Sequence, residues 1–133
     1  MQQKSRILVV DDADTILHLM RHTLAKAGYD VNVAANGLDA LELARQYKFD
    51  AVFTDIHMPQ MDGISLIKAL RELPGYTTIP ILALTMTNTD HIKSTGKNAG
   101  ATGWVNKPIS PPRVLDLLIK LNVPNTLMQN RTA

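Results

Sequence analysis

Ile7-Leu8-Val9-Val10-Asp11-Asp12 places four apolar residues in a row directly before two acids. A strand with one face in water alternates apolar and polar residues, so an unbroken run marks a strand covered on both faces. Ala51-Val52-Phe53 and Ile81-Leu82-Ala83-Leu84 read the same way. With two further short runs the strand set is Arg6–Val10, Asp30–Ala34, Ala51–Asp55, Ile79–Leu84 and Gly103–Asn106. Their starts lie 24, 21, 28 and 24 residues apart, too far for hairpins and right for strand, loop, helix and loop in repetition.

The intervening segments carry helical stripes. Ile16, Met20, Leu24 and Ala27 form the first, with Gly28 as its C-cap candidate. Leu38, Leu41 and Ala44 form the second. Ile64, Ile67 and Leu70 form the third, which Asp62 starts as N-cap and which stops before Pro74. The fourth, Asp90 to Ala99, offers only Ile92 and Ala99 to a core and contains Gly96, so it is expected to pack least firmly. Ser110-Pro111 starts the fifth, with Val114, Leu117, Leu118 and Leu121 facing inward. The expected fold class is α/β: a doubly wound five-stranded parallel sheet, (βα)5, whose functional edge is the carboxyl end of the strands. Five strands are too few for a closed eight-stranded barrel.

Composition agrees with one globular domain. The 133 residues are 45% hydrophobic and 20% charged, with no cysteine, which excludes disulfides, thiolate metal sites and cysteine nucleophiles. A net charge of +2 spread along the chain is unlike the basic stripe of a nucleic-acid binder. No apolar run reaches membrane-helix length, and Ile7 to Val10 is too short for a signal peptide. The expectation is therefore a cytoplasmic protein with no nucleic-acid or membrane partner. The domain is expected over 1–123, and 124–133 reads as a polar, frayed tail.

Polar residues stand at the carboxyl ends of four of the five strands: Asp11 and Asp12, Asp55, Thr85, and Lys107. Each has a plain structural reading as helix cap, strand end, turn former or surface lysine. Together, parallel strands bring three carboxylates, a hydroxyl and an ammonium to one sheet edge. Carboxylates so close repel and need a counter-charge. A divalent cation with oxygen ligands supplies it, and Mg²⁺ suits a site of few carboxylates plus a phosphate. A carboxylate can also accept a phosphoryl group as an aspartyl phosphate.

Val9-Val10-Asp11-Asp12, Asp55-Ile56-His57-Met58-Pro59-Gln60-Met61-Asp62-Gly63, Leu84-Thr85 and Lys107-Pro108 resemble the receiver domain of bacterial two-component response regulators. Leu73-Pro74-Gly75-Tyr76 and Gly100-Ala101-Thr102-Gly103-Trp104 look more particularly like the chemotaxis regulators of the CheY type. The resemblance runs from about Arg6 to Leu121. It implies the flavodoxin-like strand order 2-1-3-4-5 and a phosphoacceptor role for Asp55. It also implies Mg²⁺ ligation by Asp12, Asp55 and the backbone carbonyl of His57, with Asp11 acting through water. Lys107 would contact the phosphoryl oxygens, and its bond to Pro108 would be cis. Thr85 would swing to the phosphoryl group and Trp104 would follow it. The moving surface would be the fourth helix, fifth strand and fifth helix.

Three positions depart from the family pattern. Met86 stands where a small or hydroxylated residue is common, Thr87 where chemotaxis members often carry an acid, and His57 is uncommon two residues after the phosphorylated aspartate. These places tune phosphodonor access and dephosphorylation in the family. Trp104 replaces the more typical Tyr or Phe.

Other candidates are weaker. His18 and His22 can share a face of the first helix, but the sequence supplies no further metal ligands for them. Gly63 reads as a backbone requirement of its loop, and Met58 and Met61 as packing residues. The reading is a stand-alone receiver, not an enzyme. It takes phosphoryl from a sensor histidine kinase of the chemotaxis type and binds a flagellar motor switch or other protein partner. It is expected to be monomeric and able to dimerise on phosphorylation. Alternatives are a phosphorelay intermediate or phosphate sink, a small aspartyl-phosphate phosphatase with His57 as its acid–base group, and a binding module independent of phosphorylation.

Overall fold

A computed structural model describes residues 4–58, 60–86 and 90–124. Thr87 and the tail over 125–133 therefore lie outside the described residues. The strands are β1 (Arg6–Val10), β2 (Asp30–Ala34), β3 (Ala51–Asp55), β4 (Ile81–Thr85) and β5 (Gly103–Asn106). They alternate with α1 (Asp14–Lys26), α2 (Gly37–Gln46), α3 (Gly63–Glu72), α4 (Asp90–Ala99) and α5 (Pro111–Lys120). All pairings are parallel, in the order β2-β1-β3-β4-β5. This is the flavodoxin-like, doubly wound order.

Alternate residues of β1 enter opposite cores. Ile7 and Val9 pack with Leu17, Met20 and Leu24 of α1 and Val114 and Leu118 of α5. Leu8 and Val10 pack with Ala40 and Leu41 of α2 and Leu66, Ile67 and Leu70 of α3. Such two-sided burial is why β1, β3 and β4 carry no polar alternation before their carboxyl ends. The apolar side chains removed from water here supply the main stabilisation, about 1.5–3 kcal/mol for each large one.

Several local readings shift. β4 begins at Ile81 rather than Ile79, because Pro80 has no N–H for the ladder; its carbonyl accepts from Val52 N–H at 3.0 Å. Leu38 is 50% exposed. The inward stripe of α2 is Gly37, Ala40, Leu41 and Ala44, at helical spacings of three and four, and Leu38 lies about 100° off it. In α1 the N-cap position is Ala13, and Gly28 falls one residue after the C-cap Ala27. Asp62 caps α3 as expected, accepting from Ser65 N–H at 2.8 Å. Among its described side chains α4 buries only Gly96 and Ala99, with Ile92 half-buried.

Two long-range polar anchors had no signature in the sequence. Arg71 at the end of α3 donates to the carbonyls of Tyr76, Ile79 and Gly100 at 2.8–3.0 Å, tying α3 to the end of α4. The Tyr76 hydroxyl accepts from Phe49 N–H at 3.1 Å and lies 3.0 and 2.6 Å from the carbonyls of Ala44 and Tyr47. Burial raises its pKa.

Candidate phosphoryl and metal site

The carboxyl ends of β1 and β3 are hydrogen-bonded neighbours, so Asp55 comes beside the Asp11-Asp12 pair that follows β1. One carboxylate oxygen from each of Asp11, Asp12 and Asp55 lies within 4.8 Å of the others. Asp11 is fully buried, Asp55 is 7% exposed, and Asp12 faces solvent. From the other side of the sheet edge, Lys107 brings Nζ to 2.7 Å from Asp11 Oδ2 and 3.4 Å from Asp55 Oδ1. Its backbone N–H donates to Thr85 O at 2.9 Å, and the Lys107–Pro108 bond is cis. Thr85 closes β4 and is buried.

The backbone fixes these carboxylates. Asp11 N–H donates to Ala34 O at 3.1 Å, and Asp11 Oδ1 accepts from Ala13 N–H at 2.9 Å. The alternative of Asp11 or Asp12 as a helix N-cap is thus not realised: Asp11 turns back on the loop two residues on and leaves α1 uncapped by a side chain. Asp55 Oδ1 accepts from Ile56 N–H at 2.9 Å. Behind it, Gly63 N–H donates to Ile56 O at 2.8 Å. A Cβ on Gly63 would collide with the Asp55 carbonyl oxygen and stand 2.8 Å from Ile56 Cα. Gly63 is therefore the close approach that lets α3 start directly beneath the site.

Charge is unbalanced here. Burial, then the charge of Asp11, raise the pKa of Asp55, and Lys107 and Ile56 N–H only partly oppose them. Burial alone would lower the pKa of Lys107. Its hydrogen bond to Asp11 and the charges of Asp11 and Asp55 outweigh that and raise it. One ammonium faces three carboxylates. Asp11 Oδ2 is buried, and its partner is the Lys107 ammonium 2.7 Å away. An oxygen-only donor set with surplus negative charge fits a hard divalent cation.

The remaining predicted positions lie around this edge. His57 is exposed and lines a cleft with Ile56, Asp62, His91 and Thr95 between the β3–α3 loop and α4. Met86 is 83% exposed immediately after Thr85. Trp104, half-buried in β5, pairs in register with Ala83, and Asn106 with Thr85. The His18 and His22 pair of α1 is exposed and forms no cluster with a third ligand among the described residues. Gly96, a weak point of α4 by helix propensity, lies directly against the Trp104 ring. No helix among the described residues is long and apolar enough to cross a membrane.

Comparison with known proteins agrees with this geometry. The family described as response regulator receiver domain matches residues 7–119. The chain is 38% identical over 109 residues to the alkaline phosphatase synthesis transcriptional regulatory protein PhoP of Bacillus subtilis, covering 82% of this chain and 45% of that protein. It thus spans about half the length of the curated relatives it matches. Among solved structures, the chemotaxis protein CheY4 of Vibrio cholerae is 39% identical with a TM-score of 0.87, covering 90% of this chain and 99% of that one. A response regulator from Burkholderia multivorans is 43% identical with a TM-score of 0.78, covering 93% and 99%. The chain belongs to the response regulator receiver domain family, whose members are signalling switches rather than enzymes in the ordinary sense.

Proposed function

We propose that this receiver accepts a phosphoryl group on Asp55 from the phosphohistidine of a sensor kinase. The supporting observation is the meeting of Asp11, Asp12 and Asp55 with Lys107 at one sheet edge. In the transfer, Asp55 Oδ2 attacks phosphorus, the P–N bond breaks, and the leaving imidazole retains the bonding pair and takes a proton. Asp55 Oδ1 is held meanwhile by Ile56 N–H. Side chains of Asp12 and Asp55 with the His57 carbonyl would hold Mg²⁺, and Asp11 would act through water. When bound, the ion neutralises the carboxylates and the phosphoryl oxygens. Lys107 exchanges part of its contact with Asp11 for the phosphoryl oxygens. The chain thus promotes its own phosphorylation by positioning and charge.

The Thr85 hydroxyl donates to the new phosphoryl group, and Trp104 shifts after it. The face of α4, β5 and α5 then changes its affinity for a protein partner. His57, Met86 and Thr87 tune phosphodonor entry and the lifetime of the acyl phosphate; the 83% exposure of Met86 directly after Thr85 supports this part of the reading. Likeness to CheY4 over nearly all of that chain supports an output of the chemotaxis type. Lys107→Ala tests the switching step: Asp55 remains phosphorylated with acetyl phosphate, while the rise in partner affinity is lost. A normal rise in that variant would contradict the role of Lys107. Return of phosphoryl from Asp55 to a histidine protein would favour a phosphorelay intermediate instead.

A further inference from the structure

Gly96 sits in the middle of α4, where glycine is the poorest choice short of proline. It is nonetheless buried. A Cβ built there would overlap Trp104 Cη2 and stand 2.6 Å from Cζ2, against an ordinary carbon–carbon separation of about 3.5–4 Å. The indole edge therefore fills the space that a side chain on α4 would take. Across the slot, the β4–β5 register puts Trp104 beside fully buried Ala83. Val105 enters the opposite core, so Trp104 shares the α4 side of the sheet with Thr85, whose register partner is Asn106. The slot thus lies between two of the smallest residues, one on the helix and one on the sheet.

We propose that Gly96 is a positioning residue of the switch: its notch holds the Trp104 indole against α4 in the unphosphorylated protein. The proposal rests on the receiver reading above. When Thr85 moves toward a phosphoryl group on Asp55, it vacates volume on the sheet face that Trp104 borders. Filling that volume withdraws the ring from Gly96 and removes a contact between β5 and α4. α4 is pinned at its far end by the paired Arg71 donations to Gly100 O, so loss of the indole contact frees the part of the helix nearer the site. The notch biases the resting conformation, and a state bias appears directly in the affinity of any ligand that selects the other state.

Two measurements on four proteins decide this: wild type, Gly96→Ala, Trp104→Phe and the double variant. In denaturant unfolding followed by circular dichroism, Gly96→Ala is expected to lower the folding constant beside Trp104. Beside the shorter Phe it is expected to raise that constant through helix propensity, a coupling of about tenfold or more. In titration with beryllofluoride and Mg²⁺, read by fluorine NMR with an Asp55→Asn control, Gly96→Ala is expected to bind the mimic about fivefold more tightly than wild type. An additive cycle would overturn the seat, and unchanged or weaker mimic binding would overturn its bias toward the resting state. Failure of wild type to bind the mimic would overturn the receiver reading and the switching role with it, while the cycle would still report on the seat alone.

Discussion

Asp55 carries its charge against both burial and a neighbouring acid, and this gives the site its pH behaviour. Its pKa in the fold is raised above the 3.8 of an unperturbed aspartate, so the folded protein binds its proton more tightly than the unfolded chain. The stabilisation of the neutral form is complete below 3.8 and is lost as pH rises through the folded value. Metal-free protein is therefore expected to lose stability across the carboxylate range. Asp55→Asn should flatten that loss and leave the variant more stable than wild type at neutral pH, as thermal melts at several pH values would show. A less stable Asn variant would contradict the charge imbalance. Lys107 acts in the opposite sense. Removing it as Lys107→Ala leaves Asp11 buried without a counter-charge and should cost about 3 kcal/mol at neutral pH, as denaturant unfolding would show.

At the scale of elements, the junction between β3 and α3 carries the tightest constraint. Gly63→Ala puts a methyl group against the Asp55 backbone, and about 1–3 kcal/mol of destabilisation is expected, with weakened divalent-ion binding from displacement of Asp55. Tyr76→Phe serves as the contrast. It strips the acceptor from Phe49 N–H before β3, at the edge of the sheet away from the site. It should cost about 1–3 kcal/mol in denaturant unfolding and leave ion affinity unchanged. The elements themselves were largely legible: the apolar runs located all five strands, and Asp62 announced the start of α3. What misled was a stripe with too few members. Leu38 fits a three-residue spacing with Leu41, but the full inward set uses Gly37 and Ala40, small residues that carry no hydrophobic signal of their own. Arg71 and Tyr76 were illegible for a different reason. Their partners are backbone carbonyls and, for Tyr76, the Phe49 N–H, up to 32 residues away, and any sequence supplies such groups.

For the whole molecule, the site was legible because parallel strands all end on one edge, so acids at strand ends must meet whatever the exact element bounds. The seat of Trp104 was not, because it depends on α4 and β5 coming within van der Waals reach, and Gly96 looks in sequence like a mere helix weakness. The charge surplus at the edge gives a test that involves the entire fold. Mg²⁺ should raise the melting temperature, the gain growing with the logarithm of its concentration and vanishing with chelator. Asp12→Ala should abolish that response while folding normally. The central claim, that Asp55 accepts a phosphoryl group, is tested most directly by intact mass after incubation with acetyl phosphate and Mg²⁺, with rapid quenching and an Asp55→Asn control. A single phosphoryl adduct that requires Mg²⁺ and is missing from the control is the predicted result. No adduct in wild type at any time point, or an adduct that persists in Asp55→Asn, would contradict it.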